Sequence, residues 1–202
     1  MEQLINASFA CVVKMSAKYA IDESHALKHS MEVYKFAQEI YDSEIVMNPY
    51  LVELRRIIFA AAILHDMCDK KYMNEGDGLY DIKESMGFIM SAEELIVVEQ
   101  IITTMSYSKV KHNGYPDLGK YQLAYHIVRE ADLLAAYDID RCIIFGIMMD
   151  NLVYSEAVER ATKLFNSRVL KYIDDDLFIT TYSIHKSFEL HNNATIQTPQ
   201  NN

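Results

Sequence analysis

A histidine followed at once by an aspartate, His65-Asp66, closes the apolar run Leu51 to Leu64. Side chains one position apart on a helix diverge by about 100°. The pair can therefore meet on one ion only where a helix ends and its last turn distorts. Upstream, His25 and His29 stand four residues apart and share a helix face. Downstream, Asp132 lies in the apolar stretch Tyr121 to Tyr137, where an unpaired carboxylate is costly. Together His29, His65, Asp66 and Asp132 supply two imidazoles and two carboxylates from three separate segments. That mixed N/O set suits a divalent ion with positions left for water. Each residue also has a plain structural reading: a buried histidine or carboxylate is commonly just a hydrogen-bonded core group. The His25/His29 pair also lacks the glutamate of the H-E-x-x-H zinc-protease motif. Spacing alone permits a metal site and does not require one.

The segments that must position these residues read as helices nearly throughout. Leu27 to Tyr41 repeats apolar residues at three- and four-residue steps, with Asp22 or Ser24 as the expected N-cap. A second helix runs from Leu51 into His65, with Pro49 suited to its first turn. Ser91-Ala92-Glu93-Glu94 has the pattern of a capping box and opens Leu95 to Met105. Tyr121 to Tyr137, Ile139 to Val153, Ala157 to Tyr172 and Leu177 to Leu190 continue the helical period. No run alternates as a strand with hairpin turns. Asn74 to Gly78, Ser106 to Lys109 and His112 to Asp117 read as loops. The expectation is an all-α bundle in one domain over residues 1–190. Its metal-site core spans about 20–150, helices fill 151–190, and the polar stretch 191–202 is read as a disordered tail.

Composition narrows the function classes. The chain has 202 residues, half of them apolar, with only 6 Gly and 3 Pro, so it can bury a core without disulfides or a structural metal. Its formal charge of −10 argues against a nucleic-acid polymer as partner, since that binding rests on a basic surface. A single nucleotide in a local pocket remains compatible. The three cysteines, Cys11, Cys68 and Cys142, are far apart and show no C-x-x-C spacing, which reads as a reduced chain. No signal peptide and no membrane span are expected, so the expected location is cytoplasmic, with no membrane partner. No Gly-rich phosphate loop is present.

The ordered set His29, His65-Asp66 and Asp132 resembles the H…HD…D signature of the HD-domain phosphohydrolase superfamily. Its surroundings are similar to those of the small single-domain HD hydrolases that act on nucleotides or are unassigned. There the doublet is followed by x-x-D-x-K, matched here by Asp69 and Lys71. An upstream His precedes the first ligand by four residues, matched by His25. The resemblance covers roughly residues 20–150. It implies an HD-type helical bundle with one divalent ion on His29, His65, Asp66 and Asp132. Mn, Fe, Co, Ni or Zn suit that donor set, and Mg is allowed. It further implies Asp69, Lys71 and His25 as catalytic groups, and Lys71, Tyr107 and Lys109 as contacts to substrate. Two departures stand out. Ala26 replaces the usual Asp after the upstream His, and Leu133 replaces the usual Arg after the distal Asp. Arg129 or Arg141 is the candidate replacement for that cation. His112 and His126 do not match the two-metal pattern.

The implied function is a metal-dependent phosphohydrolase acting on a nucleotide-like or similar small phosphorylated metabolite, with a homodimer compatible. The alternative on the same fold is a non-catalytic metal- or nucleotide-binding regulatory module.

Overall fold

Ten of the fourteen positions of the central helix are buried, the last eight of them consecutively (Ile57 to Leu64). In a computed structural model that describes residues 1–197, the second half of this helix, α3 (Leu51–Leu64), is apolar on every side. Such a helix can only sit inside. Around it pack α1 (Glu2–Tyr19), α2 (Leu27–Glu44), α5 (Ala92–Thr104) and α7 (Gln122–Ala135). Each fully buried Leu or Ile contributes on the order of 1.5–3 kcal/mol. Ala60, Ala61 and Ala62, all without exposure, keep the middle of α3 slim. The surrounding helices are α4 (Glu75–Met86), the short α6 (Tyr107–Asn113), α8 (Ile139–Met148), α9 (Tyr154–Ser167) and α10 (Thr181–Gln197). The described residues form one compact all-helical domain with no strand.

Several local expectations hold. Ser91 and Glu94 form the reciprocal capping box, at 3.2 and 2.8 Å. α3 ends at Leu64, and a turn through His65 to Cys68 follows.

Others are corrected. Asn74 to Gly78 is not a loop: Asn74 caps Gly76 N at 2.8 Å, and Glu75 and Asp77 fill the first turn of α4, where acidic groups complement the helix dipole. Gly78 is required by contact rather than by a turn. A Cβ there would lie 2.7 Å from Met67 O and 2.8 Å from Cys68 Cα, so α4 rests directly on the backbone after the His65-Asp66 doublet. Ser106 to Lys109 enters α6 instead of a loop. Neither Asp22 nor Ser24 caps α2, whose N-cap is Ala26 with no side-chain bond. α8 stops at Met148, short of the expected Val153. α10 begins at Thr181 and continues through His191 to Gln197, where disorder was expected; residues 198–202 lie outside the described residues.

α8 and α9 form a tight helical hairpin. A Cβ on Gly146 would meet Ala157 Cβ at 3.3 Å, which marks how closely the two helices cross. The C-terminal segment is fastened to α7 by Glu130, which is fully buried. Its carboxylate accepts from Ile179 N (3.0 Å), Thr180 N (3.1 Å) and Thr180 Oγ1 (2.7 Å).

Candidate functional site

The end of α3, the first turns of α2 and the middle of α7 bring four donor groups together. His29 Nε2 and His65 Nε2 are 3.0 Å apart. Asp66 Oδ2 lies 3.4 Å from the first and 3.2 Å from the second. Asp132 Oδ1 lies 3.4 and 3.6 Å from the same two nitrogens. An ion bound at about 2.0–2.2 Å by each donor would separate neighbouring donors by roughly 3.0 Å at right angles and 3.4 Å at tetrahedral angles. The observed separations fall on that range, except His65 to Asp132, which exceeds it at 3.6 Å. The buried trio His29, His65 and Asp66, whose donor atoms all lie within 4.8 Å of one another, can hold a metal ion. Asp132 reaches both imidazoles but lies outside that trio.

The second layer fixes one imidazole and not the other. His65 Nδ1 donates to Ala62 O at 2.9 Å, which leaves Nε2 as the donor toward an ion. His29 Nδ1 is buried with no partner. Electrostatics mark the cluster as a cation trap. Burial opposes charge on His65, but Asp66, its hydrogen bond and Asp132 outweigh this and raise the imidazole to about 9. Burial and the Arg141 guanidinium push His29 down to about 4, against the pull of Asp132 and Asp66. Both Asp66 and Asp132 are held well below the usual carboxylate range by the two histidines, despite burial. Without an ion, a proton on His65 is the positive charge these carboxylates demand.

Beside this cluster lies a network the sequence suggested only in part. His25 Nε2 meets Lys71 Nζ at 3.1 Å, and Lys71 Nζ is 3.2 Å from Asp69 Oδ2. On its other side, His25 Nδ1 contacts Ser24 Oγ at 2.6 Å and Tyr72 OH at 2.9 Å, and Tyr72 donates to Asp22 Oδ2 at 2.5 Å. Lysine has only donors, so His25 accepts at Nε2 and carries its proton on Nδ1. Burial drives His25 down to about 3, with Arg141, Lys71 and His29 adding to the effect against Asp66. The imidazole is therefore neutral at physiological pH. Its Nε2 stands against the Lys71 ammonium and its Nδ1 against Ser24 and Tyr72. Tyr72 and Asp22, the far half of this chain, were not anticipated as site residues, although Tyr72 follows Lys71 directly.

A cation reaches the cluster from α8. Leu133 itself is core. Arg141 Nε donates to Ser24 O, its Nη2 reaches Asp66 Oδ2 at 3.4 Å and its Nη1 lies 3.8 Å from Asp132 Oδ1. Arg129, the other candidate, faces elsewhere. It is 2% exposed, donates to Leu177 O, pairs with Glu130 at 3.6 Å and lies over the Tyr115 ring. Its position on α7 sends the long side chain to the C-terminal segment it anchors. Lys109 is also drawn away: its Nζ donates to Glu75 Oε2 (2.8 Å) and Thr103 O (2.6 Å). Tyr107 does line the cavity, but Arg168 takes a face of its ring at 4.5 Å, so that face is not open for a base. His126 contacts Gln122 at 3.1 Å and joins no ligand cluster.

Asp66 and Asp132 open onto a cavity of about 290 Å³. Lys71 and Arg141 line it beside the cluster, and Arg160 and Arg168 of the α9 segment line it as well. Those two arginines were not singled out in the sequence. They sit on an ordinary amphipathic helix, and only the fold of the α8–α9 hairpin turns them inward. The volume lies at the lower end of ligand pockets, suited to a small molecule. Among the described residues, no helix is long and apolar enough to cross a membrane. Comparison with protein-family models, with curated proteins and with solved structures finds no match to this chain.

Proposed function

We propose that this protein is a divalent-metal-dependent phosphohydrolase of the HD type, acting on a small phosphorylated metabolite such as a nucleotide. The observation that carries this reading is the meeting of two imidazoles and two carboxylates at the floor of a cavity walled by cations. When bound, a divalent ion supplies Lewis acidity, polarising a phosphoryl oxygen and lowering the pKa of water. Mn, Fe, Co, Ni or Zn suit the mixed donors, and Mg is allowed by availability.

The chain's own groups do the rest. Arg141, anchored by Ser24 O and poised over both carboxylates, is placed to take phosphoryl oxygens in a bidentate grip. Lys71, steered by neutral His25 and Asp69, adds a second charge for the oxygens that become more negative in the transition state. Asp69, partly exposed beside Lys71, is the carboxylate available to accept a proton from attacking water. The low cavity volume and overall acidity favour a small substrate over a polymer.

The test is direct. Protein stripped of metal and reloaded with Mn²⁺, Co²⁺ or Ni²⁺ is screened against nucleotides and 4-nitrophenyl phosphate. Turnover that disappears in Asp66→Ala together with the bound metal supports the hydrolase. Stoichiometric metal with no turnover of any phosphate ester assigns the chain to the regulatory alternative.

A further inference from the structure

We propose that Arg168, with Tyr107 and Tyr172, forms an anion subsite on the α9 side of the cavity, so that the ligand of this protein carries two separated anionic groups. The identity of the first group, a phosphoryl at the His/Asp cluster, rests on the hydrolase reading above; the second does not.

Arg168 ends α9 and lines the cavity. Its Nε donates to Tyr172 OH at 3.2 Å and its guanidinium lies over Tyr107 at 4.5 Å. These contacts fix the plane of the fork and leave it without a counter-charge: among the described residues no carboxylate is within salt-bridge distance of Arg168. The other cavity cations are each paired, Lys71 with Asp69, Arg141 with Asp66, and Arg160 with Asp150 at 2.9 Å. A half-buried, pre-oriented guanidinium with no acidic partner is matched by a ligand oxyanion, which it binds in two parallel hydrogen bonds. Arg160 stands one helical stretch earlier, stacked on Phe145 at 5.2 Å, with Leu164 between the two arginines on the same cavity wall.

Both sides belong to one space. Tyr172, which accepts from Arg168, is also close enough to Asp132 to feel its charge. The Cys142 thiol lies within electrostatic reach of Arg141, Arg160 and Arg168 alike. One small molecule can therefore span from the carboxylates to α9. A phosphate and a carboxylate share the chemistry Arg168 reads, so two substrate pairs separate them: adenosine 5′-monophosphate against adenosine 3′,5′-bisphosphate, and phenyl phosphate against 4-carboxyphenyl phosphate.

The experiment measures kcat and KM for both pairs on metal-loaded wild type, Arg168→Gln and Arg168→Lys. Calorimetric binding of adenosine 5′-monophosphate and the bisphosphate to metal-free protein is measured alongside. The expected result is a preference of about 10- to 100-fold in kcat/KM for the two-anion member of at least one pair, the size of one charge-assisted contact. Arg168→Gln should shrink that ratio towards unity through KM, and Arg168→Lys should restore part of it. Which pair discriminates tells phosphate from carboxylate. Turnover with no preference in either pair overturns the subsite and leaves the hydrolase standing. No turnover, but bisphosphate binding that is tenfold tighter in wild type than in Arg168→Gln, overturns the hydrolase and keeps the subsite. No turnover and no difference in binding overturns both. Unchanged thermal melting of the variants shows that folding is not the cause.

Discussion

Beside the His/Asp cluster the donors come from three different parts of the core: His29 from α2, His65 and Asp66 from the turn that ends α3, and Asp132 from α7. On the α9 side of the cavity, Arg160 and Arg168 both hang from α9, whose main packing partner is α8. The cluster groups cannot move without disturbing the buried interior, where packing is close to crystal density. The α9 groups can change with one hairpin. Under the function proposed above, this contrast is a division of labour, with chemistry held by the core and ligand choice set by an appended helix pair.

The sharpest way to break that contrast is at the cluster. Asp132→Ala should lower turnover by about 10³-fold or more and reduce bound metal measured by mass spectrometry. If metal content stays full, Asp132 stands outside the ligand set and the cluster is a three-donor site. Next in size is the tie between the two regions. Glu130→Ala removes the acceptor for three donors of the 179–180 segment and leaves Arg129 buried without its partner. We expect a loss of about 3–5 kcal/mol in urea unfolding. A loss under about 1 kcal/mol would mean that the C-terminal segment is held by packing instead.

A third test uses pH on metal-free protein. His25, His29 and His126 have folded pKa values pushed down to about 3, 4 and 4 by burial. The unfolded chain binds their protons first, so stability falls as pH drops from about 6.5, by about 1.4 kcal/mol per pH unit for each group. His65, raised to about 9, has the opposite sign: its contribution is complete below 6.5 and fades as pH climbs through 9. Melting temperature should therefore peak near neutrality and fall more steeply on the acid side; a flat profile from pH 7 to 5 would refute the buried neutral histidines. The smallest effect is expected from Tyr72→Phe, which cuts the chain from Asp22 to His25. Turnover should drop by about 2- to 10-fold with metal content unchanged. A loss of metal instead would tie this network to the ion rather than to Lys71.

Legibility followed the same divide. His29, His65, Asp66 and Asp132 were possible partners by residue type and spacing and stood out through the ordered H…HD…D pattern they resemble, and the structure brings all four within 3.6 Å of an imidazole. The helices around them followed from their 3.6-residue period. Arg160 and Arg168 left no such mark, since an arginine on an amphipathic helix looks alike whether it faces water or a cavity. Arg129 and Arg141 were indistinguishable by position, and only tertiary contacts sent one to Leu177 and the other to Asp66. Asn74 to Gly78 misled for a different reason: a glycine needed for close approach, as Gly78 is against Met67 and Cys68, looks in sequence like a turn glycine.

One further consequence follows from where the charges sit. The chain is acidic overall, at −10, while in the lining of one recess Lys71, Arg141, Arg160 and Arg168 outnumber Asp66, Asp69 and Asp132. A polyanion drifting in from bulk meets repulsion first and feels the recess only within roughly 8 Å, the screening distance at physiological salt. Dissolved salt weakens the distant repulsion more than the close attraction. Capture should then quicken as ionic strength rises, the reverse of ordinary electrostatic steering.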